Sequence, residues 1–152
     1  MKRNRKIGTT EPILRNITQT TVRFSEVDSM QVVWHGEYVR YFEDGREAFG
    51  RQFTGIGYLD FYAEGYTAPI VDLQLQCISP LRLNDQVLIE TRYIDTPAAK
   101  LCFEYIITRQ SDSALIAKGS SVQVFIDSDG NMCLNNPEFF QNWKRKWLEK
   151  QK

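Results

Sequence analysis

The chain has 152 residues, which is enough for one domain with a real hydrophobic core. Its 19 Lys and Arg residues balance 19 Asp and Glu residues, so no overall field attracts nucleic acid or an anionic membrane. No apolar run approaches the ~20 residues that a helix needs to cross a bilayer.

The N-terminal segment and the cysteines indicate where the protein works. The first residues, MKRNRK, are basic and lack the apolar run of a signal peptide, so we expect residues 1–16 to form a flexible basic tail. Cys77, Cys102 and Cys133 make an odd number of cysteines without Cys-x-x-Cys spacing. This usage favours a reducing compartment over a disulfide framework or a zinc site. We therefore expect a cytoplasmic protein.

The first half of the chain predicts one strand followed by one helix. Thr, Val and Phe are frequent in residues 17–26, which favours a strand there. Residues 37–53 favour a helix, because an apolar stripe recurs with a 3.6-residue period at Tyr38, Phe42, Gly45, Phe49 and Phe53. A glycine costs a helix about 1 kcal/mol relative to alanine, so Gly45 indicates that a sheet passes close by. Residues 58–64 predict a short second helix.

The second half predicts four strands separated by turn residues, at 68–79, 86–95, 100–109 and 115–127. A single long helix cannot cover both faces of such a sheet, so an antiparallel sheet curled around the helix is the economical solution.

The last part of the chain predicts a short amphipathic helix at residues 136–152, with Asn136 as its cap and Pro137 at its first position. We expect this helix to pack on a single domain that spans residues 17–135. The small residues Ala117, Gly119 and Ser121 suit the close approach of a second subunit, which predicts a homo-oligomer.

One segment between the first strand and the helix has the residues that chemistry needs. Asp28 follows the strand, and the apolar residues 32–34 separate it from the only histidine, His35, at the helix start. A poorly hydrated carboxylate is a better base or nucleophile, and the first N–H groups of a helix can stabilise an oxyanion. From spacing alone, a simple turn or capping role for Asp28 is the preferred explanation, and His35 has its own alternatives of capping the helix or donating to a carbonyl.

The same segment resembles a known family. The run RFSEVD at 23–28, followed by VVWHGEYVRYFE at 32–43, is similar to the signature of the hotdog-fold acyl-CoA thioesterases, in particular the 4-hydroxybenzoyl-CoA thioesterase and YbgC-like branch. The run SPLRLND at 79–85 resembles that family's turn between its second and third strands. The similarity covers roughly residues 18–130.

The resemblance implies an α+β hotdog fold, with a five-stranded antiparallel sheet wrapped around one long central helix. It implies homodimers or homotetramers formed by joining sheets edge to edge. The implied activity is hydrolysis of an acyl-CoA thioester to a carboxylic acid and free CoA, without a metal or redox cofactor. Acyl-CoA, or an acyl carrier protein, would be the partner, and neither nucleic acid nor a membrane span is expected.

Carried over residue by residue, the resemblance implies catalytic roles for Asp28 and His35. Asp28 would attack the thioester carbonyl or activate water, and the backbone N–H near His35 would polarise that carbonyl. The N–H of Gly36 would share the oxyanion role. Apart from the resemblance, we expect Trp34, Tyr38 and Phe42 to line the acyl pocket, although Tyr38 and Phe42 can equally be core residues.

The chain departs from the family at the turn after the acid. Relatives commonly have glycine two or three residues after it, where this chain has Met30 and Gln31. Glycine permits left-handed backbone that costs glutamine more. We therefore expect Gln31 either to change the path of the loop or to line the substrate pocket.

Two other functions fit the same scaffold. A non-catalytic acyl-CoA binding module is one, since a fold does not fix a function, but pure binding has no use for a poorly hydrated Asp28. A hydratase or dehydratase is the other, and it would need an Asp-x-x-x-x-His run. The interval from Asp28 to His35 is seven residues, which makes this the weakest interpretation.

Overall fold

The computed structural model describes residues 14–149. Most of the predicted N-terminal tail (residues 1–13) and the last three residues of the predicted C-terminal helix (residues 150–152) lie outside the described residues. Along the chain the elements are β1 (Arg15–Thr21), a 3₁₀ turn (Phe24–Glu26), α1 (Glu37–Gln52), α2 (Tyr58–Ala63), β2 (Ile70–Cys77), β3 (Gln86–Ile94), β4 (Lys100–Arg109), β5 (Leu115–Val124) and α3 (Glu138–Trp147).

The five strands form one antiparallel sheet in the order β1-β3-β4-β5-β2. Helix α1 packs mainly against β1, β3 and β4. Alternate residues of β3 and β4 are buried, as expected for strands with one face on the core. The predicted α+β fold, a five-stranded sheet around one long helix with a short C-terminal helix, is confirmed.

The apolar stripe of α1 faces the sheet. Phe42 and Phe49 are completely or almost completely buried, and the Phe42 ring stacks on the Tyr105 ring with centroids 4.4 Å apart. Trp143 of α3 closes the far end of the core, where its indole N–H donates to the Phe53 carbonyl oxygen at 2.8 Å. Burying these aromatic side chains provides much of the favourable free energy of folding.

Two glycines set how closely the helix approaches the sheet. A Cβ atom on Gly45 of α1 would lie 2.4 Å from Thr91 Oγ1 and 2.7 Å from Ile89 Cγ2, both in β3. A Cβ atom on Gly119 of β5 would lie 2.5 Å from the Phe42 ring. Any side chain at either position would force the two layers apart. The expectation that a sheet passes close to Gly45 is therefore correct.

The structure corrects the predicted role of the small residues in β5. Ala117 and Ser121 are buried inside the single chain, and Gly119 lies against this chain's own Phe42. These residues accommodate the central helix and not a second subunit. Homo-oligomer formation stays a prediction, and it now needs a different surface.

Several boundaries also differ from the sequence prediction. β1 ends at Thr21 and not at Glu26. Glu26 lies in the 3₁₀ turn, where its carboxylate accepts a hydrogen bond from the Arg23 N–H. Leu14 is buried and Arg15 begins β1, so the end of the predicted tail belongs to the sheet. Asn136 gives no side-chain cap to α3, whose N-cap position is Pro137.

The edge of the sheet formed by β2 is not covered by the helix. β2, at the sheet edge beyond β5, is exposed at most positions, and the apolar side chains of Val71 and Leu73 are 58% and 42% exposed. The opposite edge strand, β1, exposes one large apolar side chain, Ile17. None of the helices in the described part of the chain has the length and apolar character that crossing a membrane requires.

We expect Gly45→Ala to lower the free energy of unfolding by about 1–3 kcal/mol, because its methyl group overlaps Thr91 and Ile89 in a packed core. Gly50→Ala, in the same helix, is the matched control. Its Cβ would meet only ordinary contacts, the nearest at 3.8 Å, so we expect it to raise stability by about 0.5–1 kcal/mol. Urea unfolding measures the free energy of unfolding of both variants and of wild type. Equal changes in the two variants would contradict the close approach of Gly45 to β3.

Candidate active site

The loop between the 3₁₀ turn and α1 is a tight hairpin, and Asp28 lies on its first arm, where the turn begins. The Trp34 N–H donates to the Glu26 carbonyl oxygen at 3.0 Å, and the Asp28 N–H donates to the Val32 carbonyl oxygen at 2.9 Å. These bonds place the two arms of the loop side by side, with Asp28 at the turn end of one arm and the helix start at the far end of the other. The acid and the helix terminus thus belong to one hydrogen-bonded loop.

The Asp28 carboxylate has one oxygen engaged and one available. Oδ1 accepts a hydrogen bond from the Met30 N–H at 2.8 Å, which holds the side chain in a local turn. Within residues 14–149, Oδ2 accepts no hydrogen bond from protein. The side chain is half-buried, so the free oxygen can reach water or a ligand. Asp28 therefore has both the turn role that its spacing allowed and an oxygen free for chemistry.

Gln31 occupies the left-handed backbone region, with φ at 65°. Glycine adopts this conformation without strain and glutamine does not, so Gln31 carries a conformational cost here. The Gln31 N–H donates to the Asp28 carbonyl oxygen at 2.9 Å, which closes the turn. The Gln31 side chain is exposed three residues after the acid. That Gln31 changes the path of the loop or lines the substrate pocket stays a prediction.

The start of α1 offers free hydrogen-bond donors. The helix has Gly36 at its N-cap position and no side-chain cap, so His35 does not cap it. The first N–H groups with backbone partners are those of Glu37 and Tyr38, which donate to Trp34 and His35 carbonyl oxygens. In the described part of the chain, the N–H groups of His35 and Gly36 donate to no protein acceptor. They carry the positive end of the helix dipole.

Trp34 covers the helix start. Its ring lies over the Cα atom of Gly36, where any Cβ atom would overlap it, and its centroid is 5.2 Å from that of His35. Trp34 is 51% exposed and His35 is exposed as well. Gly36 is thus needed for the ring to lie on the backbone. The two rings form an open aromatic wall beside the free N–H groups.

Tyr38 has a different environment from the other candidate site residues. It is only 3% exposed and lies in the core beside Tyr41. Burial raises the pKa of Tyr38 to about 12, so its hydroxyl stays protonated near neutral pH. By contrast, Gln31, Trp34 and His35 are exposed, and Asp28 and Gly36 are half-buried.

Glu26 holds this loop in place, and the sequence analysis did not identify it. Its carboxylate is 5% exposed and accepts hydrogen bonds from the Arg23 N–H at 2.9 Å and the Tyr41 hydroxyl at 2.8 Å. The Arg23 guanidinium adds two further bonds. Arg23 and Glu26 carry opposite charges three residues apart, and that pairing was the signal available in the sequence.

The environment of Glu26 favours its charged form. Burial by itself would raise the pKa of the carboxyl group, but the hydrogen bonds from Arg23 and Tyr41 and the Arg23 charge outweigh burial and lower it. A carboxylate with this many donors stays ionised at neutral pH. Glu26 is therefore suited to fix the loop and α1 relative to each other, whereas Asp28, with a free oxygen, is suited to chemistry.

The sequence is similar to thioesterases in two comparisons, one with protein families and one with curated proteins. A family model described as "Thioesterase-like superfamily" matches residues 22–144. The putative acyl-CoA thioesterase YneP of Bacillus subtilis is 26% identical over 122 residues, which cover 80% of this chain and 87% of that protein.

Solved structures share the fold. The DHNA-CoA thioesterase of Staphylococcus aureus superposes with a TM-score of 0.79 and 23% identity, over 91% of each chain. The hypothetical protein SAV2348 of Staphylococcus aureus, solved in complex with CoA, gives a TM-score of 0.77 and 16% identity, over 94% of this chain and 90% of its own. At these identities the similarity establishes the common architecture.

We expect Glu26→Gln to lower the free energy of unfolding by about 2–3 kcal/mol at neutral pH, because charge-assisted hydrogen bonds are lost from a buried site. Glu26 has a lowered pKa in the folded state, so its contribution is present above the pKa of the unfolded chain. That contribution is lost as the pH falls through the folded-state value. Urea unfolding from neutral to acidic pH should show the wild type and variant converging at low pH. A gap that stays constant would contradict the role of the charge.

Proposed function

The chain belongs to the thioesterase-like superfamily, and on that basis we propose that it hydrolyses acyl-CoA thioesters with Asp28 as the base or nucleophile. One observation carries the proposal. The half-buried Asp28, with a free Oδ2 oxygen, lies in a tight loop whose other arm ends at the free N–H groups of His35 and Gly36. A carboxylate beside an uncapped helix start is what hydrolysis of an acyl group needs.

In the proposed reaction the thioester carbonyl oxygen accepts hydrogen bonds from the N–H groups of His35 and Gly36. Asp28 takes a proton from water, and the resulting hydroxide adds to the carbonyl carbon. The negative charge that develops on the oxygen is stabilised by the two N–H groups and the helix dipole. When the carbonyl re-forms, the C–S bond breaks, CoA leaves as a thiolate, and the proton held by Asp28 neutralises it.

A nucleophilic role for Asp28 gives the same products. Its Oδ2 atom would attack the carbonyl carbon, expel CoA thiolate and form a mixed anhydride, which water then hydrolyses to the carboxylic acid and the free aspartate. Both routes need the same free oxygen and the same oxyanion donors. Isotope labelling of Asp28 during turnover in H₂¹⁸O distinguishes them, because only the nucleophilic route can transfer label to the carboxylate.

The remaining surface residues support binding more than chemistry. Trp34 and the exposed Gln31 flank the acid, and we propose that they contact the thioester side of the substrate. The His35 imidazole has no hydrogen-bond partner within the described residues, so we propose that position 35 contributes mainly through its backbone N–H. Tyr38 supports this surface from beneath.

The thiol of the substrate and the location of the protein are proposed from the shared fold and from the cysteines. The CoA complex of SAV2348 shows that this architecture can accept CoA, and we propose CoA as the thiol here, with an acyl carrier protein as the alternative. Three free cysteines support a reducing cytoplasm. The rival function, a non-catalytic acyl-CoA binding module, would leave the free oxygen of Asp28 without a purpose.

We expect Asp28→Asn to lower kcat/KM for the best acyl-CoA by about 10²–10⁴-fold, because asparagine can neither accept a proton nor attack the thioester. The turn should survive, since the amide oxygen can still accept the Met30 N–H. CoA binding, measured by calorimetry, should therefore change little. His35→Ala is the control, and we expect it to retain most activity because it keeps its backbone N–H. Full activity in Asp28→Asn would refute the mechanism, and CoA binding without turnover in wild type would favour the binding module.

We also propose that the protein is a homodimer joined through β2. This edge strand presents Val71 and Leu73, whereas the other edge, β1, presents only Ile17 among large apolar side chains. Exposed edge strands with apolar side chains tend to pair with another strand. A two-fold axis perpendicular to the sheet would pair β2 with its copy and keep both central helices on the same face. Two such dimers could associate into a tetramer.

Leu73→Lys should convert the dimer into monomers, because a charge on the pairing edge opposes strand addition. Ile17→Lys places the same charge on the other edge and should leave the dimer intact. Light scattering after size-exclusion chromatography measures the mass of both variants. If Ile17→Lys dissociated the protein and Leu73→Lys did not, β1 would be the pairing edge.

A further inference from the structure

Glu26 connects three parts of the chain around the proposed reaction site. Its carboxylate accepts hydrogen bonds from the Tyr41 hydroxyl of α1 at 2.8 Å and from the Arg23 N–H at 2.9 Å. Its backbone carbonyl oxygen accepts the Trp34 N–H at 3.0 Å, from the second arm of the loop. One buried residue therefore joins the 3₁₀ turn, the loop and the central helix.

The proposed oxyanion donors lie in a segment that is bonded to Glu26 at both of its ends. Trp34 is bonded to the Glu26 carbonyl oxygen, and Tyr41, in the second turn of α1, is bonded to the Glu26 carboxylate. His35 and Gly36 lie between these two attachment points. Hydrogen bonds at both ends of a segment restrict the movement of the N–H groups between them.

The Tyr41 hydroxyl connects the loop that carries Asp28 to the body of the helix. Asp28 follows Glu26 by two residues on the first arm of the loop, whereas Gly36 is at the N-cap position of α1. Without the hydroxyl, the two arms of the loop would stay paired with each other and would lose this bond to α1. The bond between Tyr41 and Glu26 therefore helps to fix the acid relative to the helix start.

Stability alone does not explain a charged partner for Tyr41 in the core. Tyr41 is 1% exposed and Glu26 is 5% exposed, so both polar groups are withdrawn from water. Withdrawing a carboxylate from water is costly, and well-packed apolar side chains of similar volume often give equal or greater stability. Other buried positions of α1 have phenylalanine, at Phe42 and Phe49. The position that the pair fixes explains its presence better than the free energy that it adds.

The Tyr41 hydroxyl is suited to hold a position and not to transfer a proton. Burial raises the pKa of Tyr41, and the Glu26 carboxylate raises it further. The hydroxyl therefore stays protonated near neutral pH and donates to Glu26 throughout turnover.

We propose, on the basis of the proposed hydrolysis, that Tyr41 is a positioning residue, which holds Glu26 and so fixes the Asp28 loop against the helix start. The atoms positioned in this way are the Asp28 carboxylate and the N–H groups of His35 and Gly36. Their alignment matters most in the transition state, where acid and donors act on the same carbonyl group. Loss of the hydroxyl should therefore lower kcat and leave substrate binding nearly unchanged.

Tyr41→Phe tests this role, because it removes the hydroxyl and keeps the buried ring. We expect kcat for the best acyl-CoA to fall about 10–100-fold, the effect of a small misplacement of reacting groups. KM and the Kd for CoA should change less than about twofold, since the buried Tyr41 side chain does not contact the substrate. Steady-state kinetics and calorimetry measure these quantities.

Tyr93→Phe is the matched control. Tyr93 is 3% exposed, and its hydroxyl donates to the Asp95 carboxylate at 2.9 Å, so the variant loses the same kind of bond. Its ring stacks on Phe49, which lies eight residues after Tyr41 and therefore about 12 Å further along α1. We expect kcat of Tyr93→Phe to stay within about twofold of wild type, because this bond is at the other end of the core.

Amide resonances report the position of the donors without any substrate. The Trp34 ring lies on Gly36, so the Gly36 amide is sensitive to any movement of the loop against the helix. In ¹⁵N NMR spectra of the full chain, Tyr41→Phe should shift the His35 and Gly36 amide resonances. Tyr93→Phe should leave both resonances in place.

The outcomes separate the positioning role from the proposed hydrolysis. If wild type hydrolyses no acyl-CoA, the proposed function fails, whereas unchanged His35 and Gly36 resonances in Tyr41→Phe would overturn the positioning role itself. If wild type is active and the two tyrosine variants have the same kcat, the bond contributes only to stability and the positioning role is wrong. A raised KM at unchanged kcat in Tyr41→Phe would also overturn it, because Tyr41 would then act on binding.

Discussion

The close contact between α1 and β3 is the constraint on which the rest of the structure depends. Gly45 brings the helix backbone against Thr91 and Ile89, and Gly119 makes room for Phe42 on β5. The closest backbone contacts of the helix are with β1, β3 and β4. The edge strand β2 lies beyond β5 and stays exposed at most positions. The packing of one helix therefore determines the core and also which edge of the sheet stays open.

The two acids of the loop show how environment assigns roles to similar side chains. Glu26 is buried and accepts hydrogen bonds from Arg23 and Tyr41, which lowers its pKa and fixes it as an anion. Asp28, two residues later, uses one oxygen for the turn and leaves the other free. A well-satisfied carboxylate makes a good structural anchor because it has no reason to change its protonation or partners. The free oxygen of Asp28, in the loop that leads to the uncapped helix start, is the reason for proposing Asp28 as the base or nucleophile.

Gln31 has a strained backbone conformation near this site. A glutamine at φ 65° is strained relative to glycine, yet the loop keeps the tight path and the bond from Met30 to Asp28. Strain that persists beside a candidate catalytic residue suggests that its side chain has a use, and Gln31 is exposed next to the acid. Together with Trp34, it gives this chain a loop surface of its own.

The sequence by itself determined the order and type of the elements and pointed to the candidate reacting residues. The 3.6-residue stripe of α1, the alternation in β3 and β4, and the glycine at position 45 all report local periodicity and sterics, so they could be read without coordinates. The Asp28 to His35 segment was recognisable because its parts are close along the chain. Only the tertiary structure decided what depends on residues far apart: that Gly119 lies against Phe42, that Glu26 binds Tyr41, and that residues from α1, α2, β4 and β5 enclose one cavity. These are non-local contacts, and hydrophobic pattern and spacing report only what neighbouring residues do.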